Sequence, residues 1–174
     1  MNRIFRRVVS CRSLIVVCFI SLASSSCEKH RAPLFAGEWE FKETITSGDL
    51  TLNTTRLMTL TKTTYEETFI VERQNSSVIS SIIATRGNIE PAHSDLIFHL
   101  KELGTCIPDD LGACTGNIAW HDEGSQYWED NITFFSLTVS GRFEVDETTL
   151  WLIRDLNDDL DTGDAGEDII FTRI

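Results

Sequence analysis

An acidic segment near the C-terminus carries side chains of the kind that bind a hard cation. Oxygen-bearing residues alternate there at Asp155, Asn157, Asp159 and Asp161. Calcium takes roughly six to eight oxygen ligands, and flexible acidic turns supply them. The segment departs from the EF-hand pattern because both the invariant glycine and the glutamate that ends that pattern are missing. Two interpretations stay open: a calcium-stiffened loop and a solvated acidic turn.

A second candidate segment, residues 120–130, combines two tryptophans, a tyrosine, a histidine and four acidic residues. His121 beside Asp122 and Glu123 is a candidate acid–base or metal site, yet adjacent residues on an extended chain point to opposite sides. The sequence contains no glycine-rich phosphate loop, nucleophile elbow or paired zinc-ligand pattern. We therefore expect no enzymatic activity, and we interpret the aromatic residues as a barrel-end cover or a ligand rim.

The N-terminal residues have the layout of an export signal. Residues 1–12 carry four arginines and no acidic residue, and residues 14–23 form an apolar run too short to span a bilayer. Serines then precede Cys27, and this stretch resembles a bacterial lipoprotein signal, in which the cysteine is acylated and becomes the new N-terminus. The resemblance implies a signal peptide over residues 1–26, a lipidated (for example palmitoylated) Cys27 and a tether over residues 27–36. The alternative is ordinary cleavage near Ser25, which would give a secreted protein.

Two cysteines remain beyond Cys27, at positions 106 and 114. An even number of cysteines in an oxidising compartment favours a disulfide. Proline, aspartates and glycines lie between them, so we predict that Cys106 and Cys114 form a disulfide that pins a surface loop. A metal pair is less favoured because a tetrahedral thiolate site needs further ligands that this neighbourhood lacks.

The mature part is strongly acidic. All 27 acidic residues of the 174-residue chain follow Cys27, whereas four of its 15 basic residues precede it, which leaves a formal charge of −16. Such a surface repels nucleic-acid phosphates and anionic lipid headgroups. We therefore expect no nucleic-acid partner, and contact with a membrane only through the lipid anchor.

Alternating hydrophobicity dominates the mature chain and predicts strands. Trp39, Phe41 and Ile45 share one parity while charged and polar residues take the other. The same pattern predicts strands at residues 56–62, 65–73, 78–86, 95–102, 132–139, 142–145, 149–154 and 168–173, with a tight reversal at Gly87 and Asn88. We therefore predict an all-β fold, an antiparallel up-and-down barrel of roughly eight strands over residues 37–174, since closure removes vulnerable edges.

Two short sequences at the ends of this region resemble a known family. The opening AGEWEF resembles the G-x-W signature of lipocalin-like (calycin) barrels, and the closing IIFTRI resembles their last strand. The stretch GRFEVDETTLWLIRD is similar to the late hairpin of small bacterial lipocalin-like lipoproteins. The resemblance implies that Trp39 closes one end of the barrel and that Arg173 stacks on its face. The segment from Gly104 to Asn131 departs from the family pattern.

An eight-stranded barrel has an interior that is either filled by its own side chains or able to hold one small ligand. The candidate lining residues share the inward parity and are Phe41, Met58, Phe69, Phe98, Phe135 and Trp151. We expect a membrane-anchored lipoprotein that binds a small apolar molecule noncovalently. The alternative is a filled barrel that acts as a structural or protein-interaction module of the cell envelope.

Overall fold

A computed structural model describes residues 32–47, 50–74, 79–156, 162 and 167–174. The predicted signal peptide over residues 1–26, the acylation site Cys27 and the tether as far as residue 31 lie outside the described residues. The described elements are β1 (Gly37–Ser47), β2 (Leu50–Leu60), β3 (Thr64–Arg73), β4 (Ile79–Ala92), β5 (Asp95–Pro108), β6 (Cys114–Asp122), α1 (Gln126–Asn131), a 3₁₀ turn (Ile132–Phe134), β7 (Thr138–Val145), β8 (Thr149–Arg154) and β9 (Asp168–Arg173).

Eight of these strands form a closed antiparallel barrel, which confirms the predicted fold class. Its order is β1-β2-β3-β4-β5-β7-β8-β9, and the pairing of Trp39 with Arg173 joins β9 back to β1. Strand β6 stands outside this ring, and among the described strands its one pairing partner is β5. The ring follows chain order apart from β6, as expected of an up-and-down barrel.

The fourteen-residue strand β5 has two partners along the same edge. Its first residues, from Asp95 to His99, pair with β7, and its later residues, from Glu102 onward, pair with β6. At the branch the backbone N–H of Leu100 donates to the carbonyl of Leu137 over 2.9 Å. The hairpin formed by the end of β5 and by β6 therefore projects from the barrel wall at this point. The chain then passes through α1 and the 3₁₀ turn and rejoins the wall as β7.

One half of the barrel interior is filled. Strand ends near Trp39 contribute a cluster of buried apolar side chains that includes Phe35, Met58, Leu96 and Phe171. Trp39 and Phe171 are fully buried. A smaller cluster of Leu100, Leu103 and Trp128 lies where α1 packs against β5. Apolar burial of this kind is the main favourable contribution to folding.

The folded unit begins earlier than the sequence predicts. The predicted tether extends through residue 36, but the compact unit starts at Pro33 and Phe35 is only 5% exposed. The Phe35 ring packs edge-on against Phe143 with centroids 5.7 Å apart. Residues 33–36 therefore belong to the barrel end rather than to a tether.

The predicted strand at residues 132–139 is wrong except for its last two residues. Residues 132–134 form a 3₁₀ turn after α1, and β7 begins only at Thr138. The Ser125 hydroxyl caps α1 by accepting a hydrogen bond from the Trp128 N–H over 3.3 Å, and Trp128 is buried against β5. A capped turn with a buried anchor outweighs the strand preference of this segment, which depends strongly on tertiary context.

The predicted reversal at Gly87 and Asn88 is also wrong, because β4 runs through both residues to Ala92. The register between β4 and β5 shifts beside Gly87, so a β-bulge lies there. A Cβ on Gly87 would lie 2.0 Å from the carbonyl oxygen of His99. The glycine therefore permits a close approach of two backbones, not a turn.

Candidate ligand cavity

The half of the barrel opposite Trp39 contains a cavity of about 280 Å³. It reaches the surface beside Ile83 and Phe134, whose side chains are 46% and 79% exposed. Small-molecule sites in proteins begin at roughly this size and are mostly apolar with a few polar groups. The lining residues are Arg56, Tyr65, Glu67, Phe69, Ile83, Thr85, Phe98, Leu100, Phe134, Phe135, Ser136, Val139, Arg154 and Leu156.

Three charged side chains from three strands form a cluster in the cavity wall. Arg154 of β8 donates two hydrogen bonds to Glu67 of β3, from Nη1 to Oε2 over 2.7 Å and from Nη2 to Oε1 over 2.8 Å. Nη1 of Arg56, on β2, lies 3.8 Å from Oε1 of Glu67. The Arg154 and Glu67 side chains are 5% and 14% exposed. We call Arg56, Glu67 and Arg154 the charged cluster.

Burial and charge oppose each other in the charged cluster. Burial alone would raise the pKa of Glu67, but the charge and hydrogen bonds of Arg154, with a smaller contribution from Arg56, hold that pKa below its ordinary value. Burial would lower the pKa of Arg154, and the charge and hydrogen bonds of Glu67 more than offset this, so the pKa is raised. Burial lowers the pKa of Arg56. Glu67 is therefore an anion between two cations at neutral pH.

Aromatic rings hold both arginines in place. The guanidinium carbon of Arg56 lies 5.1 Å from the ring centroid of Phe69, and that of Arg154 lies 5.5 Å from the centroid of Phe98. Tyr65 meets Phe98 edge-on at 5.2 Å. Burial raises the pKa of Tyr65 to about 12, so its hydroxyl stays protonated at neutral pH. The inner part of the cavity thus combines guanidinium groups, a hydroxyl and ring faces.

Residues 134–136 and Leu156 line the outer part of the cavity, and a hydrogen bond connects these two parts of the chain. Ser136 Oγ donates to the carbonyl of Leu156 over 3.2 Å, and the Leu156 N–H donates to Oε1 of Glu167 over 2.7 Å. Glu167 is 2% exposed, and its carbonyl accepts a hydrogen bond from the Arg154 N–H. Glu167 therefore fixes the backbone of Leu156, just after β8, beside the cavity.

The predicted lining residues divide into three groups. Phe69, Phe98 and Phe135 line the cavity. Met58 is buried in the filled half of the barrel, and Phe41 packs against that cluster. The predicted inward position of Trp151 is wrong: its indole N–H donates to the Asp168 carboxylate on the outer face, while Leu150 and Leu152 point inward.

The sequence interpretation missed Arg56, Glu67, Tyr65 and Arg154. For the three charged residues the signal was present, because each lies two residues from an inward apolar residue of its own strand: Arg56 from Met58, Glu67 from Phe69 and Arg154 from Leu152. Strand periodicity places such residues on the same face. Opposite charges at inward positions therefore indicate an interior ion pair.

The structure stacks Arg173 on Trp39 at the filled end. The guanidinium carbon lies 4.1 Å from the ring centroid, and the Trp39 N–H donates to the carbonyl of Phe35 over 2.9 Å. Arg173 also donates to the carbonyls of Leu34 and Ala36. A Cβ at Gly37 would lie within 2.4 Å of an Arg173 nitrogen, which explains the glycine of the G-x-W sequence.

The remaining predicted sites lie apart from the cavity. Cys106 and Cys114 form a disulfide at the tip of the β5–β6 hairpin, with Cα atoms 5.6 Å apart. Asp155 follows β8, but Asn157, Asp159 and Asp161 lie outside the described residues. Among the residues that are described, no three His, Cys, Asp or Glu side chains come together to hold a metal ion.

The aromatic segment at residues 120–130 packs into the molecule. Arg86 stacks on Trp120 at 4.2 Å, and the rings of His121 and Tyr127 stack with centroids 4.2 Å apart. Trp128 is buried against β5. These side chains support the β5–β6 hairpin and α1, and none of them lines the cavity.

The closed eight-stranded antiparallel barrel is compatible with a lipocalin-like fold. No protein-family model and no curated protein sequence matches the chain. Within the described ranges, no helix has the length and apolar character needed to cross a membrane.

Proposed function

We propose that this protein binds a small, largely apolar molecule noncovalently inside the barrel, and that acylation of Cys27 anchors it to a membrane of the cell envelope. The observation that supports binding is the cavity itself, about 280 Å³ in size, lined by aromatic and aliphatic side chains around one charged cluster. Ligand sites commonly combine these two features. The aromatic segment at residues 120–130 gives less support to the alternative of an interaction module, since Trp120 and Trp128 are engaged within the fold.

A neutral fluorescent probe tests binding in the cavity. N-phenyl-1-naphthylamine would be titrated into the full chain carrying Cys27→Ser, so that no acyl chain competes for the site. Val139 lines the cavity from β7, so Val139→Phe should fill part of it and weaken binding by about tenfold or more. Ser140→Phe adds an aromatic ring to the exposed outer face of the same strand and is the matched control. Absence of saturable binding, or equal affinity in both variants, would contradict the proposal.

The membrane anchor is tested separately by mass. We expect the intact mass of protein from the membrane fraction to show a diacyl or triacyl increment that Cys27→Ser removes. Acyl chains contribute about 0.8 kcal/mol per buried CH₂, so two or three chains hold a domain stably at a bilayer. Cleavage near Ser25 without added lipid would refute the anchor and leave binding in the cavity untouched.

A further inference from the structure

The end of the barrel at which the chain enters the fold determines which surface lies nearest to the proposed anchor. We propose that the filled end of the barrel faces the bilayer, that the Leu34 side chain contacts the lipid surface, and that the cavity opens away from the membrane. This inference rests on the proposed acylation of Cys27 and adds the contact surface and the orientation of the barrel. The cavity then exchanges its ligand with the aqueous compartment rather than with the bilayer.

Hydrogen bonds fix the entry of the chain at the filled end. Nη2 of Arg173 donates to the carbonyl of Leu34 over 2.6 Å, and Nη1 donates to the carbonyl of Ala36 over 3.1 Å. The carbonyl between them, on Phe35, accepts from the indole N–H of Trp39. Three successive carbonyls are therefore held by the two side chains that close this end of the barrel.

The chain between the fold and the proposed anchor is short. Residues 28–32 separate Cys27 from Pro33. An extended chain covers about 3.3–3.6 Å per residue, so an acyl group on Cys27 lies within roughly 20 Å of Pro33. The cavity opens farther along the barrel: on β4, Ile83 at the opening lies six positions from Ile89 in the filled cluster, which is roughly 20 Å of strand. Turning the opening to the bilayer would need residues 28–32 fully stretched along the outer wall.

Exposed apolar side chains lie at the same end. Leu34 is 62% exposed although its neighbour Phe35 is buried, and Ile174, which follows β9, is 63% exposed. The backbone of Leu34 is held by Arg173, so its side chain is presented at a fixed place. Binding to a lipid surface strengthens with the apolar area that leaves water. Leu34 is therefore the side chain best placed to contact the bilayer.

The distribution of charge favours the same orientation. Residues 28–32 carry two basic residues, Lys29 and Arg31, and one acidic residue. By contrast, residues 102–141 contain seven acidic residues and no lysine or arginine. They form the β5–β6 hairpin, α1 and the 3₁₀ turn with Phe134 at the cavity opening. Anionic headgroups attract the first of these stretches and repel the second.

Two exposed leucines provide matched labelling sites. Leu34 lies at the filled end, and Leu111, at the tip of the β5–β6 hairpin, is 93% exposed. Leu34→Cys and Leu111→Cys each add one free thiol, since Cys106 and Cys114 form a disulfide and Cys27 is acylated. Each thiol would carry the fluorophore NBD on the full acylated chain, bound to vesicles of phosphatidylethanolamine and phosphatidylglycerol that contain doxyl-labelled lipid. We expect this lipid to quench NBD severalfold more strongly at position 34 than at position 111.

A third label, at Ser140→Cys on the exposed outer face of β7, detects a barrel that lies on its side. Quenching at position 111 or 140 that equals or exceeds the quenching at position 34 would overturn the orientation. Intact mass is measured first, and protein without an acyl increment would refute both the anchor and the orientation. Acylated protein with the wrong quenching pattern would refute the orientation alone.

Leu34→Ser tests the contact itself. With NBD at Ile174→Cys, we expect Leu34→Ser to reduce quenching by doxyl lipid, whereas the matched change Leu111→Ser should leave it unchanged. A cooperative thermal transition in each variant shows that the barrel is folded. Unchanged quenching in a folded Leu34→Ser variant would show that the linking residues alone orient the barrel and would refute contact through Leu34.

Discussion

Replacing Arg154 with methionine should strongly destabilise the barrel. The change removes two hydrogen bonds of 2.7 and 2.8 Å and leaves Glu67, whose side chain is 14% exposed, without its closest partner. Breaking a buried pair by removing one partner typically costs about 3–5 kcal/mol. Arg56 stays 3.8 Å from Glu67 and compensates for part of the loss. We therefore expect a loss near the lower end of that range, about 3 kcal/mol.

Urea unfolding at neutral pH, followed by circular dichroism, gives this free energy by linear extrapolation. The double variant Glu67→Leu/Arg154→Met is the control, because replacing a whole buried pair with apolar side chains is often neutral or stabilising. We expect the double variant to recover most of the stability. A loss below about 1 kcal/mol in Arg154→Met would show that the pair is solvated and that the reasoning from burial is wrong.

The effect of Arg154→Met should also depend on pH. The folded-state pKa of Glu67 lies below its ordinary value, so its stabilising contribution is present above an unfolded pKa of about 4.3 and is lost as pH falls through the lower folded value. Without Arg154, burial remains and the pKa rises, so protonation relieves the uncompensated charge. The loss measured near pH 7 should therefore shrink near pH 4. An equal loss at both pH values would contradict this account.

Three further predictions concern other parts of the barrel. Trp39→Ala should lower the free energy of unfolding by about 3–5 kcal/mol because the ring is fully buried. Arg173→Ala removes the cation stacked on that ring and should lower it by about 0.5–2 kcal/mol. Similar losses for the two variants in chemical unfolding would argue against this difference. Cys106→Ser/Cys114→Ser should lower stability by about 2–3 kcal/mol or less and leave the barrel folded, as thermal unfolding would show. NMR titration should place the pKa of Asp146 at about 2, because two backbone N–H groups of its turn donate to the carboxylate. The stabilising contribution of Asp146 is present above the ordinary pKa of about 3.9 and is lost as pH falls toward 2. A titration near 3.9 would show that the turn is not formed.

The barrel was predictable from the sequence because alternation is strong in most of its strands. Trp39 and Phe41 fix the inward face of β1, and the pattern in β9 is equally regular, so the first and last strands could be placed together. The errors occur where a local signal competes with tertiary packing. Gly87 suggests a turn in isolation, and only the approach of the His99 backbone shows why it lies inside a strand.

Part of the cavity was predictable for the same reason. Phe69 and Phe98 lie at inward positions and line it, whereas Trp151 fails because a single-residue error in parity moves a side chain to the opposite face. The sequence could not show which inward residues meet and which leave space. That depends on tertiary packing: Met58 and Phe171 fill the end near Trp39, whereas Trp128 of α1 packs against Leu100 and Leu103 of β5 and does not enter the cavity.

The position of the charged cluster, at the edge of the cavity, bears on the proposed binding function. Arg56, Glu67 and Arg154 lie next to Met58, Tyr65 and Leu152 on the same inward faces, so the cluster stands where the filled half of the barrel ends and the cavity begins. A buried ion pair generally gives no more stability than apolar side chains of similar volume. Stability alone would therefore be served by continuing the apolar packing of Met58 and Leu152 through these positions. A Glu67→Leu/Arg154→Met variant that folds as well as the native protein but binds N-phenyl-1-naphthylamine with a clearly different affinity would show that these charges act on the cavity rather than on stability.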